Sequence, residues 1–183
     1  LQAYRKVIPI MKSPRIDNFS VELIGGEPTL HPELKHIIKK LDGIDRDKFI
    51  YCELITNLSR TVDYFKDLFD GISSRFVVKP SYHPEYYNKK FTNKILELSK
   101  TLKIRPTIVI SDDQTHTKQT CQFLDSLIDN EIEYDLQMLY CTEIYEANYT
   151  EHIEDIYKKY FDHNRSSRSK YMTEWSLSEM SED

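Results

Sequence analysis

The chain has 183 residues, with 25 basic and 30 acidic side chains and a formal net charge of -5 at pH 7. A chain of this length can bury the core of one domain. The mildly acidic balance gives no support for nucleic-acid binding, and no run is long and apolar enough to cross a membrane. Three cysteines without a recognisable spacing argue against a disulfide scaffold and fit a reducing cytosol, so we expect a cytoplasmic protein.

Segments typical of strands and helices alternate along the chain. The opening segment Leu1–Lys12 has apolar residues at helical spacing, although Pro9 interrupts it. The predicted strands are Phe19–Ile24, Phe49–Asn57, Arg75–Ser81, Ile104–Ile110 and Tyr134–Tyr140. The predicted helices are Pro32–Leu41, Thr61–Asp70, Asn88–Leu102, Thr117–Asn130 and Thr150–Phe161.

The order of these segments predicts an α/β fold. Short connections and apolar strands without clean alternation favour parallel strands covered by helices. A full eight-unit barrel needs roughly 200 residues or more, so about five strand–helix units predict a partial barrel over residues 1–161. Ligands of such sheets bind at the carboxyl ends of the strands. Residues 162–183 are polar and serine-rich, and we expect a tail or the start of a further element there.

The stretch Val21–Leu34 predicts a buried strand, a turn with two glycines and one carboxylate, and a helix start. Gly25 and Gly26 carry no side chains, so a ligand can approach the backbone closely there. Strand-end carbonyls with the Glu27 carboxylate beside them make a suitable binding position for an ammonium group. Taken alone, the four residues from Gly25 to Pro28 are equally typical of a plain strand-to-helix turn.

The longer sequence Gly-Gly-Glu-Pro-Thr-Leu-His-Pro-Glu-Leu, from Gly25 to Leu34, resembles the second strand and turn of the radical S-adenosylmethionine (radical SAM) family. Two later segments also look like strand ends of this family, Leu54-Ile55-Thr56-Asn57 and Ser81-Tyr82-His83-Pro84-Glu85. The resemblance runs from about Phe19 to Tyr140. It implies a partial (β/α)6 radical-SAM-type barrel in which about five βα units are present and the first strand is missing.

The resemblance also implies where S-adenosylmethionine binds. In the family, the glycine turn receives the amino group at the methionine end of this cofactor, and a later strand end contacts its ribose. The implied cofactor-binding residues are Gly25, Gly26, Glu27, Pro28, Thr56, Asn57 and Ser81. Judged without the family, Asn57 at a strand exit is more typical of a turn residue. Lys79 is a second candidate beside Ser81, and no catalytic residue is assigned.

The sequence departs from the family at the cysteines. Radical SAM proteins hold a [4Fe–4S] cluster on three closely spaced cysteines that precede the glycine turn. Here Cys52, Cys121 and Cys141 all follow the turn and lie far apart, so no C-x-x-x-C-x-x-C pattern occurs. We expect Cys52 and Cys121 to be small buried hydrophobes, while Cys141 follows a strand. No metal site is predicted in this chain, and the cluster is expected only in a longer parent protein.

The function implied by the resemblance is that of a fragment of a radical SAM enzyme. Such an enzyme binds S-adenosylmethionine and, with the missing [4Fe–4S] loop, generates a 5′-deoxyadenosyl radical that abstracts hydrogen from a substrate. This chain alone is expected to be inactive. The expected partners are S-adenosylmethionine, an unknown substrate and, for an active enzyme, an external electron donor, with neither membrane nor nucleic acid.

Two other functions stay open from the sequence. One is a cluster-less, non-catalytic barrel that binds a nucleotide or a protein partner. The other is an ordinary half-barrel enzyme with Glu27 or His83 as its acid–base group, but no second group at a readable spacing accompanies either residue. His31 and His83 both precede Pro-Glu at predicted strand-to-helix joins, which is more typical of helix starts than of a metal pair.

Overall fold

The structure is a computed structural model, and it describes residues 11, 13–45, 47–84, 89–110, 114–138, 155–156 and 158–161. Contacts divide the chain into two compact units. Unit 1 comprises Leu1–Ser81 and Lys89–Arg105, and unit 2 comprises Tyr82–Asn88 and Pro106–Asp183.

Unit 1 is built on three parallel strands in chain order. Strand β1 spans Phe19–Leu23, β2 spans Phe49–Thr56 and β3 spans Phe76–Tyr82. Strand β2 lies in the middle and pairs with both neighbours. The register between β1 and β2 shifts once, between Phe19 and Val21, so the outermost strand does not match its neighbour residue for residue.

One helix follows each strand of unit 1. Helix α1 spans Leu34–Asp42, α2 spans Val62–Leu68 and α3 spans Lys89–Ser99, and a 3₁₀ turn at Pro28–Leu30 precedes α1. The start of α2 is fixed by Thr61, whose hydroxyl accepts a hydrogen bond from the backbone N–H of Tyr64 at 3.2 Å. Such a cap satisfies one of the amides that the first turn leaves without an intrahelical partner.

The end of α1 follows the sequence signals for a helix stop. Lys39 and Lys40 lie in its last turn, where cations interact favourably with the negative end of the helix dipole. The Gly43 N–H then bonds to the Lys39 carbonyl at 3.2 Å, which closes the helix at this glycine.

The two faces of the unit 1 sheet differ in character, because side chains alternate along each strand. The face that packs against the helices, here called the helix face, includes Cys52, Leu54, Phe76 and Val78, all buried. The helices contribute buried residues to the same core, namely Ile38, Leu41, Phe65, Leu68, Ile95 and Leu98. The opposite face, here called the charged face, carries Glu22, Glu53, Ile55, Val77, Lys79 and Ser81.

Unit 2 contains two parallel strands and one long helix. Strand β4 spans Thr107–Ile110, β5 spans Asp135–Met138 and helix α4 spans Gln114–Asp129. The ring of Tyr82 stacks on that of Phe123, with centroids 4.7 Å apart. Stacked aromatic rings of this kind stabilise a core beyond the area that they bury.

A tyrosine pair joins the helical residues 158–161 to the rest of unit 2. The buried Tyr134 hydroxyl donates to the Tyr160 carbonyl at 2.8 Å, and the Tyr160 hydroxyl donates to Asp125 Oδ1 on α4 at 2.8 Å. Burial comes first among the causes that raise the pKa of Tyr160, so its hydroxyl stays a donor.

The α/β class and the parallel pairing of the strands are confirmed, whereas several predicted bounds differ. The predicted strand at Ile104–Ile110 is reduced to β4, with Ile104 forming only an isolated bridge to Val78. Pro106 lies between them, and proline has no N–H to donate to a ladder. Helix α4 starts at Gln114, three residues before the predicted start. A radical-SAM-type barrel stays a prediction.

Some sequence predictions fall outside the described residues. They include the opening helix apart from Met11, the last two residues of the strand at Tyr134–Tyr140, Cys141 and the segment 162–183. Within the described part of the chain, no helix has the length and apolar character needed to cross a membrane.

Replacement of Phe49 by alanine tests the core of unit 1. Phe49 is fully buried and contacts the rings of Phe19 and Phe76, with centroids 5.6 and 5.7 Å away. We expect Phe49→Ala to lower the free energy of unfolding by about 3–5 kcal/mol, because a buried ring is lost and a cavity remains. Urea unfolding followed by circular dichroism measures this, with Tyr51→Ala on the same strand, 39% exposed, as the control. Equal losses in both variants would contradict the packing described.

Candidate functional site

The two glycines of the predicted turn follow β1 at its carboxyl end. Gly25 and Gly26 are exposed and adopt positive φ angles of 111° and 51°. Among the described residues, no atom outside the turn lies within 4 Å of a Cβ built on either glycine. The backbone is therefore open to close approach, while any side chain there would be strained by the φ angle itself.

The Glu27 carboxylate bridges the ends of β1 and β2. Its Oε1 accepts hydrogen bonds from the Thr29 backbone N–H at 3.0 Å, the Thr29 hydroxyl at 2.6 Å and the Thr56 hydroxyl at 2.8 Å. Its Oε2 accepts one from the Asn57 backbone N–H at 2.7 Å. Glu27 is thus held inside the site and does not point into solvent. A binding site for an ammonium group requires this inward orientation.

The hydrogen bonds keep Glu27 ionised. Burial alone would raise the pKa of this carboxyl, but the donors on Thr29, Asn57 and Thr56 outweigh it and hold the pKa below its usual value. A carboxylate has about four lone-pair positions. Oε1 accepts three bonds and Oε2 accepts one from the described residues, so Oε2 keeps capacity for a further donor.

Two side chains that follow β2, Arg60 in the connection to α2 and Tyr64 on α2, also hold the glycine turn. The Thr29 carbonyl accepts hydrogen bonds from the Tyr64 hydroxyl at 3.0 Å and from Arg60 Nε at 3.2 Å. The Arg60 guanidinium lies 5.3 Å from the centre of the Tyr64 ring, within range of a cation–π contact. Sequence reasoning missed both residues, since more than 30 positions separate them from Thr29 and no local pattern links them.

The connection after β2 is itself fixed by short polar contacts. The Asn57 Oδ1 accepts from the Ser59 N–H at 2.9 Å, and Leu58 adopts a positive φ of 54° with its side chain buried. Lys94 Nζ on α3 donates to the carbonyls of Leu58 and Arg60, both at 2.6 Å. The Asn57 side chain therefore forms the turn, as its residue type suggests, and only its backbone reaches Glu27.

A cavity of about 440 Å³ adjoins the turn on the helix face. It is lined mainly by apolar residues from the end of β1, the 3₁₀ turn and the start of α1, and Gly25 and Glu27 are also among its lining residues. Ile24 and Leu30, which border it, are 67% and 60% exposed. Its volume falls within the range of small-molecule sites, and an apolar wall beside a carboxylate suits a ligand that is both apolar and cationic.

The remaining predicted residues divide between the two faces of the sheet. Pro28 begins the 3₁₀ turn, and Thr56 lies on the helix face, where it contacts Glu27. Thr56 is in register with Pro80, so Ser81 is one residue further along β3 and lies on the charged face. The structure therefore joins Glu27, Thr56 and the Asn57 backbone directly, while Ser81 shares their end of the sheet without joining this network.

The described cysteines do not fit an iron–sulfur cluster. Cys52 is fully buried on the helix face, where burial and then the charge of Glu53 raise its pKa to about 12. Cys121 is only half-buried, on α4 of the other unit. Cluster ligands are thiolates, and no group of three His, Cys, Asp or Glu side chains able to hold a metal occurs among the described residues.

The histidine before α1 has a local structural role. His31 Nδ1 accepts a hydrogen bond from the Glu33 N–H at 3.2 Å, at the start of the helix. This contact agrees with its interpretation as a helix-start signal. His83 is exposed at the end of β3.

Comparison of the chain with models of protein families, with curated proteins and with solved structures finds no match in any of the three. Its function is therefore argued from the site.

Glu27→Gln tests whether the ionised carboxylate stabilises the two strand ends. We expect the free energy of unfolding to fall by about 1–2 kcal/mol at neutral pH, because hydrogen bonds to a charged acceptor are lost at a partly exposed site. The pKa of Glu27 is lower in the folded state, so its stabilisation is complete above the unfolded pKa of about 4.3. It is lost as the pH falls through the folded-state value.

The difference between wild type and Glu27→Gln should therefore shrink below about pH 4.3. Urea unfolding at a series of pH values measures it. Glu22→Gln, an exposed acid on β1, is the matched control and should change stability little. A difference for Glu27→Gln that stays constant with pH would rule out the charge as its cause.

Proposed function

We propose that this chain provides the S-adenosylmethionine-binding part of a radical SAM enzyme. The observation that carries the proposal is the ionised Glu27 carboxylate, held by four hydrogen bonds at the open glycine turn after β1. The resemblance in sequence from Gly25 to Leu34 connects this geometry with the family. Its location at the carboxyl end of parallel strands agrees with where ligands of such sheets bind.

The residues present fit the methionine end of S-adenosylmethionine. The ammonium group would lie against the exposed backbone of Gly25 and Gly26, where an added Cβ meets nothing within 4 Å. Glu27 Oε2 would accept a hydrogen bond from it, and a charge-assisted bond of this kind is stronger than a neutral one. The apolar cavity beside the turn would offer an apolar surface to one side of the bound molecule.

The cofactor supplies radical chemistry only when it is bound together with a reduced iron–sulfur cluster. The described cysteines do not fit that cluster, because Cys52 is buried with a raised pKa and Cys121 lies in the other unit. The role proposed for this chain is therefore to bind and orient the cofactor. Thr56, Tyr64 and Arg60 contribute by fixing the position of the glycine turn. The proposal also includes contacts from Asn57 and Ser81 to the ribose of the cofactor, as the resemblance implies.

A second candidate function is a non-catalytic binding domain without a cluster. The observation that favours it is the burial of Cys52 on the helix face, which leaves unit 1 without an accessible thiol among its described residues. Such a domain would use the same glycine turn to bind a nucleotide or a protein partner. Electron transfer to bound S-adenosylmethionine in a longer protein would separate the two candidates.

A pair of glycine variants tests cofactor binding at the turn. Gly26 and Gly71 both have positive φ angles, of 51° and 70°, and both have open space around an added Cβ. Alanine at either position should therefore cost a similar amount of stability, about 1 kcal/mol. We expect only Gly26→Ala to weaken S-adenosylmethionine binding, by about tenfold or more, as measured by isothermal titration calorimetry.

A comparison of S-adenosylmethionine with 5′-methylthioadenosine tests which part of the cofactor is recognised. 5′-Methylthioadenosine lacks the amino-acid end, so it should bind more weakly than S-adenosylmethionine to the wild type. In Glu27→Gln this preference should disappear, because the charge that attracts the ammonium group is gone. Equal weakening by Gly26→Ala and Gly71→Ala, or a preference that survives Glu27→Gln, would overturn the proposed site.

A further inference from the structure

Lys94 on α3 holds the connection after β2 through two backbone carbonyls. Its Nζ donates to the carbonyls of Leu58 and Arg60, both at 2.6 Å. Among the described residues, no acidic side chain pairs with it, whereas Lys66 pairs with Glu97 at 2.9 Å. The ammonium group of Lys94 is therefore fixed by the backbone of the connection and not by an ion pair.

The backbone that Lys94 holds has an uncommon conformation. Leu58 adopts a positive φ of 54°, and its side chain is buried. A left-handed backbone is strained for a bulky residue and persists only where the surroundings fix it. Burial also lowers the pKa of Lys94, so keeping this ammonium group charged there costs free energy. Two unfavourable features thus meet in one short connection, and such strain is typical of ligand sites.

The Leu58 end of this connection leads to the Glu27 carboxylate through hydrogen bonds. The Leu58 N–H donates to the Thr56 hydroxyl at 3.1 Å, and that hydroxyl donates to Glu27 Oε1 at 2.8 Å. Asn57, the neighbour of Leu58, donates its N–H to Glu27 Oε2 at 2.7 Å. A shift of Leu58 would therefore disturb a donor to each of the two carboxylate oxygens.

The Arg60 end leads to the remaining donors. Arg60 Nε donates to the Thr29 carbonyl at 3.2 Å, and the N–H and the hydroxyl of Thr29 both donate to Glu27 Oε1. The four donors that Glu27 has among the described residues therefore belong to residues that lie in the connection held by Lys94 or are hydrogen-bonded to it.

We propose that Lys94 is a positioning residue for the Glu27 carboxylate, and that it thereby sets how strongly the site prefers a ligand with an ammonium group. Lys94 fixes the connection, and the connection fixes the donors that orient Glu27. Without Lys94, Leu58 would leave its strained conformation, and the Asn57 N–H and the Thr56 hydroxyl would lose their fixed positions. The preference among ligands rests on the proposed function, whereas the effect on Glu27 does not.

The rival interpretation is a purely structural tie, which adds stability without affecting the carboxylate. Burial alone would raise the pKa of Glu27, and the hydrogen bonds from Thr29, Asn57 and Thr56 hold it below its usual value. If Lys94 fixes these donors, its removal must raise the pKa of Glu27. A structural tie would leave that pKa where it is.

The experiment measures the pKa of Glu27 by ¹³C NMR of its carboxyl group, in the whole chain without ligand, at low and at high salt. Lys94→Met keeps most of the side-chain length and removes the donors, so we expect it to raise this pKa toward the ordinary value. The rise should persist at high salt, where a direct effect of the lost charge is screened. Lys94→Arg, whose guanidinium can donate to two carbonyls, should restore the wild-type pKa.

Two further measurements at neutral pH apply to a variant that is too unstable for an acid titration. The Asn57 amide proton should exchange faster with solvent in Lys94→Met, because its bond to Glu27 is weakened. The preference for S-adenosylmethionine over 5′-methylthioadenosine, measured by calorimetry, should fall about tenfold in Lys94→Met and recover in Lys94→Arg.

Lys66→Met is the matched control. Lys66 also ties α3 to a neighbouring element, since it lies on α2 and pairs with Glu97 of α3. Its removal should leave both the pKa of Glu27 and the exchange of the Asn57 amide unchanged.

Three results would each overturn the positioning role of Lys94. They are an unchanged Glu27 pKa with unchanged Asn57 exchange in Lys94→Met, equal changes in Lys66→Met, and a pKa change that vanishes at high salt. A wild type that binds no S-adenosylmethionine would instead overturn the proposed function alone, because the measurements on Glu27 and Asn57 need no ligand.

Discussion

The organisation of unit 1 depends on one carboxylate that ties together the ends of two neighbouring strands. Glu27 follows β1, yet two of its four hydrogen-bond donors come from Thr56 and Asn57 at the end of β2. Without it, the amides of Thr29 and Asn57 would lose this acceptor, and the direct link between the two connections through Glu27 would be gone. This bridge helps to hold the exposed glycine backbone in place, since no atom of the described residues lies within 4 Å of a Cβ added to Gly25 or Gly26.

The same bridge would let a structural carboxylate also serve the proposed ligand. The internal donors are unevenly distributed, with three on Oε1 and one on Oε2. Oε1 therefore fixes the orientation of the group, and Oε2 keeps capacity for a further donor. Because the internal bonds already hold the carboxyl ionised, an approaching ammonium group meets a charge that needs no rearrangement. Preorganisation of this kind raises affinity by lowering the cost of ordering the site.

Local sequence signals predicted the alternation of strands and helices and the position of the glycine turn. They could not predict the partners that hold it, because Tyr64, Arg60 and Lys94 each act on residues more than 30 positions away. They also grouped Thr56 and Ser81 at one end of the sheet, but they gave no information on its faces, and the register of Thr56 with Pro80 puts the two side chains on opposite faces. That register was not readable from either strand alone, since pairing is set by tertiary contacts.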